Sequence, residues 1–112
     1  MILKNLDRGV YEKEVIRSGR PTLLCFYQNS ISQSETVKSI ETLSRQFESI
    51  QFYISEAQEH ELGFFFSKFH FLGTPIFIFI ENGIEKGRLM GTVSTERIGA
   101  FIKGNLSETK GQ

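Results

Sequence analysis

A single cysteine, Cys25, stands among 112 residues. One thiol can close no internal disulfide, form no dithiol redox pair and build no cysteine zinc site. No sign of charge prevails either. Thirteen basic and thirteen acidic side chains cancel, and they are mixed along the chain, so neither a nucleic acid nor a membrane surface is expected as partner. No apolar run approaches the roughly 20 residues that cross a bilayer. The opening MILKNLDRGV lacks the basic start and apolar stretch of a signal peptide, and a cytosolic location is expected. The sequon Asn105-Leu106-Ser107 would matter only on export. Tryptophan is absent too, whereas phenylalanine occurs eleven times. Repeats, linkers and low-complexity stretches are lacking, and the length suits one domain with a real core.

What is present alternates between helix and strand signals. Asp7 can cap a first helix whose apolar positions Val10, Tyr11, Val15 and Ile16 lie near one face; Gly19 and Pro21 end it. Thr22 to Tyr27 is nearly continuous in apolar side chains, as in a strand covered on both faces. Ser32-x-x-Glu35 reads as a capping box, and behind it Val37, Ile40, Leu43 and Phe47 mark the buried stripe of a long helix. Ile50 to Ser55 reads as another strand. Leu62, Phe65, Phe66 and Phe69 then recur at i, i+3, i+4 and i+7, a helical face. Gly73-Thr74-Pro75 breaks the chain before the apolar strand Ile76 to Ile80. Asn82-Gly83 is a tight-hairpin pair that should return the next strand antiparallel. Ser94 should cap a last helix with Ile98, Phe101 and Ile102 inward and Gly104 as its terminator, leaving a polar, frayed tail over 107–112. The expectation is α/β: a mixed central sheet of four to five strands flanked by about four helices.

Three segments carry a family resemblance. PTLLCFYQNSISQSE, then Gly-Thr-Pro followed by IFIFIENG, then RLMGTVSTERIGAFIKGNL resemble the landmark stretches of thioredoxins. From Gly73 to Leu106 the correspondence needs scarcely a gap; it is weakest between Ile50 and Phe65. The resemblance implies one thioredoxin-like domain over 1–106, with a cis bond before Pro75. It also shows what is missing. Thioredoxins place Cys-x-x-Cys at the start of the long helix, where the positive helix end favours a thiolate. Aligned from Pro21 and Phe26, those positions hold Ile31, Ser32, Gln33 and Ser34. Ser30 replaces the preceding tryptophan, and Cys25 replaces the buried acidic residue of the strand. Attacking thiol, resolving thiol and proton acceptor are all replaced, and dithiol oxidoreductase activity is not expected.

Other chemistry finds little support in the residues. Ser32 or Ser34 as nucleophile would need a base within reach, and the histidines, His60 and His70, carry no acid partner by spacing. Their reading as surface residues stands, with no metal and no cofactor expected. Cys25 amid a strand reads as a small core hydrophobe. Three consecutive phenylalanines on a helix cannot all point inward, which makes Phe64 or Phe71 a candidate exposed anchor.

The resemblance leaves a cleft. Tyr27, Ser30 and Ile31 should face Thr74-Pro75 and Gly91-Thr92, with the Thr74 N–H and C=O free to pair with an added extended strand. The leading reading is a redox-inactive module that binds a protein or extended peptide there. Two alternatives stay open: a monothiol exchange protein working through Cys25, and an interaction protein or homodimer built on exposed phenylalanine.

Overall fold

The computed structural model describes residues 4–28, 30–56, 59–70 and 73–110, with side chains for all but 4, 5, 32, 59–62 and 107–110. Five strands form one sheet: β1 (Lys4–Asn5), β2 (Thr22–Tyr27), β3 (Gln51–Glu56), β4 (Ile76–Glu81) and β5 (Ile84–Met90), in the order β1-β3-β2-β4-β5. The first three strands in that order run parallel, and β4 and β5 are each antiparallel to the strand before them. β2 and β4 lie at the centre, where Thr22 to Phe26 and Ile76 to Ile80 are all buried. Their unbroken apolar character follows, since helices cover both faces.

Alternate side chains of those strands sort into two cores. On one face Leu24, Phe26, Tyr53, Ile76, Ile78 and Ile80 pack with Tyr11, Val15, Phe65 and Phe69. On the other Leu23, Cys25, Phe52, Phe77 and Phe79 pack with Ile40, Leu43, Ile98 and Ile102. The first core is aromatic: Tyr11 meets Phe64, Phe65 and Phe69 edge-on at 5.7 to 6.1 Å between ring centres. Such edge-to-face pairs contribute about 0.5–1.5 kcal/mol beyond their buried area.

The helices begin and end for local reasons. Asp7 caps α1 (Arg8–Val10), its Oδ1 accepting the Val10 N–H at 2.8 Å. The chain continues as a π-helical stretch, Tyr11–Ile16. Its wider turn keeps Tyr11 and Val15 inside but rotates Ile16 outward to 36% exposure, so Ile16 does not share the expected face. α2 (Ser34–Gln46) follows a 3₁₀ turn, Ile31–Gln33, and α3 spans Glu59–Phe69. The Ser32 side chain of the expected capping box lies outside the described residues. Asn82 (φ 56°) and Gly83 (φ 75°) both adopt the left-handed region, which a two-residue turn between right-twisted strands requires.

α4 (Thr95–Lys110) starts on Ser94, whose Oγ accepts the Arg97 N–H at 3.1 Å. Gly104 does not end it, contrary to expectation, and residues 107–110 continue the helix. Neighbouring packing offsets the glycine: Ile102 is fully buried and the buried Asn105 donates its side-chain N–H to the Phe101 carbonyl at 2.9 Å. A mid-helix glycine costs only about 1 kcal/mol.

The phenylalanine run also resolves differently from expectation. Phe66 is the exposed ring, at 47%, whereas Phe64 packs against the aromatic core with the Arg8 guanidinium 4.6 Å above it. Phe71 lies outside the described residues.

Candidate functional site

The residues expected to line one wall of the cleft follow the end of β2. After Tyr27 the chain turns, with the Ser30 N–H donating to the Gln28 carbonyl at 2.9 Å. Ser30 is extended (φ −141°, ψ 164°), and its carbonyl accepts the Gln33 N–H at 3.2 Å, which opens the 3₁₀ turn. Ser34 secures the next step by donating its hydroxyl to the Ile31 carbonyl at 3.0 Å. Both bonds hold the helix start; neither gives a serine a base.

The four positions Ile31, Ser32, Gln33 and Ser34 are placed unequally. Ile31 is 95% exposed. Ser34 is exposed as well, and the Ser32 side chain lies outside the described residues. Of the three whose side chains are described, Gln33 alone turns inward, because Gln33, Thr36, Ile40 and Leu43 fall at three- to four-residue spacing and form one buried stripe. The 3₁₀ turn thus phases the helix so that an amide leads the face pointing at the sheet.

The opposite wall is the turn before β4. The Thr74–Pro75 peptide bond is cis, and the Pro75 carbonyl accepts the Gly91 N–H at 2.9 Å. This bond ties the end of β5 to the turn, and Gly91 meets it at φ 108°, a conformation suited to glycine. Thr92 follows on the surface, and Met90, paired with Ile76, is half exposed. Tyr27 is half-buried; burial raises its phenol pKa first, the Glu56 carboxylate and Cys25 adding to the shift.

Gln33 joins the walls. Its Oε1 accepts the Gln28 N–H at 2.7 Å, and its Nε2 donates to the Thr74 carbonyl at 3.1 Å and to Thr74 Oγ1 at 3.2 Å. The Thr74 carbonyl is therefore engaged, not free, and the side chain that meets Thr74 is Gln33, not Ile31. The sequence gives no sign of this bridging role for Gln33. A polar side chain at a helix start reads as solvated, and no local pattern announces a partner 41 residues away.

Cys25 lies within β2, paired across the sheet with Ile54 and Phe77 and wholly buried. Desolvation pushes its thiol pKa far up, so the thiolate is strongly disfavoured. His70 is exposed at the end of α3, and the His60 side chain lies outside the described residues. Among the described residues no three His, Cys, Asp or Glu side chains gather as a metal set would require, and no helix is long and apolar enough to cross a membrane.

This architecture is the thioredoxin-like fold. Thioredoxin O2 from Arabidopsis thaliana, in its oxidized state, superposes with a TM-score of 0.77 at 16% identity, over 91% of this chain and 92% of that one. Chlamydomonas reinhardtii thioredoxin f2 gives 0.81 at 13% identity, over 92% and 95%. Fasciola hepatica thioredoxin gives 0.78 at 17%, over 92% and 99%. Comparison with protein-family models and with curated proteins returns no match. Identities this low establish the fold and leave function to the residues of the site.

Proposed function

We propose that this chain is a redox-inactive thioredoxin-like module that binds an extended protein segment at the cleft between the start of α2 and the Thr74–Pro75 turn. Exchange between dithiol and disulfide needs an attacking thiolate and a resolving thiol. The helix start offers neither, and the one cysteine is sealed in the sheet with its thiolate disfavoured.

The observation that carries the binding reading is Ile31. A large apolar side chain held at 95% exposure, two residues from the Gln33 that bridges Gln28 and Thr74, suits a surface that a partner covers. Met90, half exposed beside the opposite wall, adds apolar surface there. Main-chain pairing tolerates sequence, so binding is weak and broad unless contacts outside the cleft sharpen it.

The test is an NMR titration with an end-capped Ser-Thr-Val-Thr-Ser pentapeptide, comparing wild type, Ile31→Asp and Phe66→Ser. Shifts confined to Gln28–Ser34, Thr74 and Gly91–Thr92, lost in Ile31→Asp and kept in Phe66→Ser, are expected. The reverse pattern would move the working surface to α3. In parallel, catalytic amounts of the protein should not accelerate reduction of a protein disulfide by dithiothreitol; acceleration that disappears in Cys25→Ser would refute redox inactivity.

A further inference from the structure

We infer that Gln33 is a built-in occupant of the cleft, standing in for the peptide group of a bound strand, and that a ligand binds by displacing it. The inference rests on the peptide-binding reading above. A glutamine amide offers the same two-sided chemistry as a main-chain amide, an oxygen that accepts and a nitrogen that donates. Here the oxygen takes a main-chain N–H from one wall, that of Gln28, and the nitrogen gives its protons to Thr74 on the other. One amide thus spans a donor and an acceptor that both belong to the backbone. At 7% exposure it is shut in with those partners.

An extended strand laid in the cleft would bring an N–H to the Thr74 carbonyl and a C=O to the Gln28 N–H. Those are the bonds Gln33 already makes, so ligand and side chain compete for the same two groups. Exchanging one set of amide bonds for an equivalent set gains little by itself. A successful ligand must therefore add contacts that Gln33 cannot make, and the exposed Ile31 and Met90 are where the surface offers them. Gln33 acts as a filter: a bare peptide backbone does not open the cleft, whereas a strand bearing apolar side chains does.

The test uses the full chain and the same capped pentapeptide, titrated into wild type, Gln33→Ala and Gln33→Glu. Alanine removes the occupant; glutamate sets an oxygen against the Thr74 carbonyl and expels it. Both variants should bind at least tenfold more tightly than wild type, with the shifts centred on Gln28 and Thr74. Without ligand, hydrogen exchange at the Gln28 amide should quicken at least tenfold in both while exchange at β4 amides stays unchanged, which also verifies that the fold survives. Equal affinity for all three proteins would overturn the displacement model and leave the binding reading standing. Weaker binding to the variants would make Gln33 a ligand contact and overturn it too. Peptide binding to none of the three would defeat the binding reading itself, and the inference with it.

Discussion

Cys25, midway along β2, and Gln33, on the first turn beyond that strand, are both buried, for opposite reasons. Cys25 is buried because everything around it is apolar: Leu23, Phe77, Phe79 and Ile40 belong to the same core. Gln33 is buried because its amide is answered on both sides by main-chain groups. The first environment suppresses chemistry, since it disfavours any charge. The second admits a polar group because each of its donors and acceptors is matched. One short stretch of chain thus passes from apolar packing to a hydrogen-bonded polar junction.

The largest way to break this contrast is at the centre of the sheet. Phe77→Ala removes a fully buried ring that faces Cys25 across the β2–β4 pair. A loss of about 3–5 kcal/mol in unfolding free energy is expected, from transfer and cavity effects together. Denaturant titration measures it, and a loss under 1 kcal/mol would show that this core is not tightly packed.

Cys25→Ser probes the same environment with a polar atom in place of sulfur. The hydroxyl has no evident partner among apolar neighbours, and an unsatisfied buried group costs about 1–3 kcal/mol. A neutral result would mean that the site is wetter than its 0% exposure implies.

Alkaline pH tests the thiol itself. The folded state keeps the Cys25 proton above the ordinary thiol value of 9.0, where the unfolded chain loses it. The unfolded state then binds fewer protons, so unfolding free energy falls as pH rises. The contribution is intact below pH 9 and erodes above it, by at most about 1.4 kcal/mol per pH unit for one group. Tyr53, raised by burial and then by its hydrogen bond to Glu14, and Tyr11, raised mainly by burial, add their own erosion from about pH 10 upward. Stability curves of wild type and Cys25→Ser should therefore converge between pH 9 and pH 10. Parallel curves there would contradict the assigned burial.

How much of this was legible in the sequence follows from the range of the interactions. The strands were readable because Thr22 to Phe26 and Ile76 to Ile80 are apolar on both faces, a signal contained in each segment. Asp7, Ser94 and Asn82-Gly83 were readable because capping and turn geometry act over three or four residues. Ile16 escaped because a π turn shifts helical phase without altering composition. Gly104 escaped because packing around Asn105 and Ile102 outweighs propensity. The tie between Gln33 and Thr74 escaped most completely. It exists only once the sheet has brought β4 beside β2, and nothing local to either residue encodes it.

Gln33 and Ile31 give the smallest effects on stability and the sharpest separation of roles. Gln33→Ala removes three hydrogen bonds but uncovers groups at the cleft surface that water can reach. A net loss of about 1 kcal/mol is expected. Ile31→Ser, two residues away, should change stability by less than about 0.5 kcal/mol, because a side chain exposed at 95% loses almost no packing when truncated. It should nevertheless weaken pentapeptide binding severalfold, since the apolar contact that rewards displacement of Gln33 is gone. Thermal unfolding and the NMR titration, run on the same two variants, separate the possibilities. Loss of stability in Ile31→Ser would mean that the side chain supports the helix start and is not held out for a partner. Unchanged stability with unchanged binding would leave its exposure without a ligand to explain it.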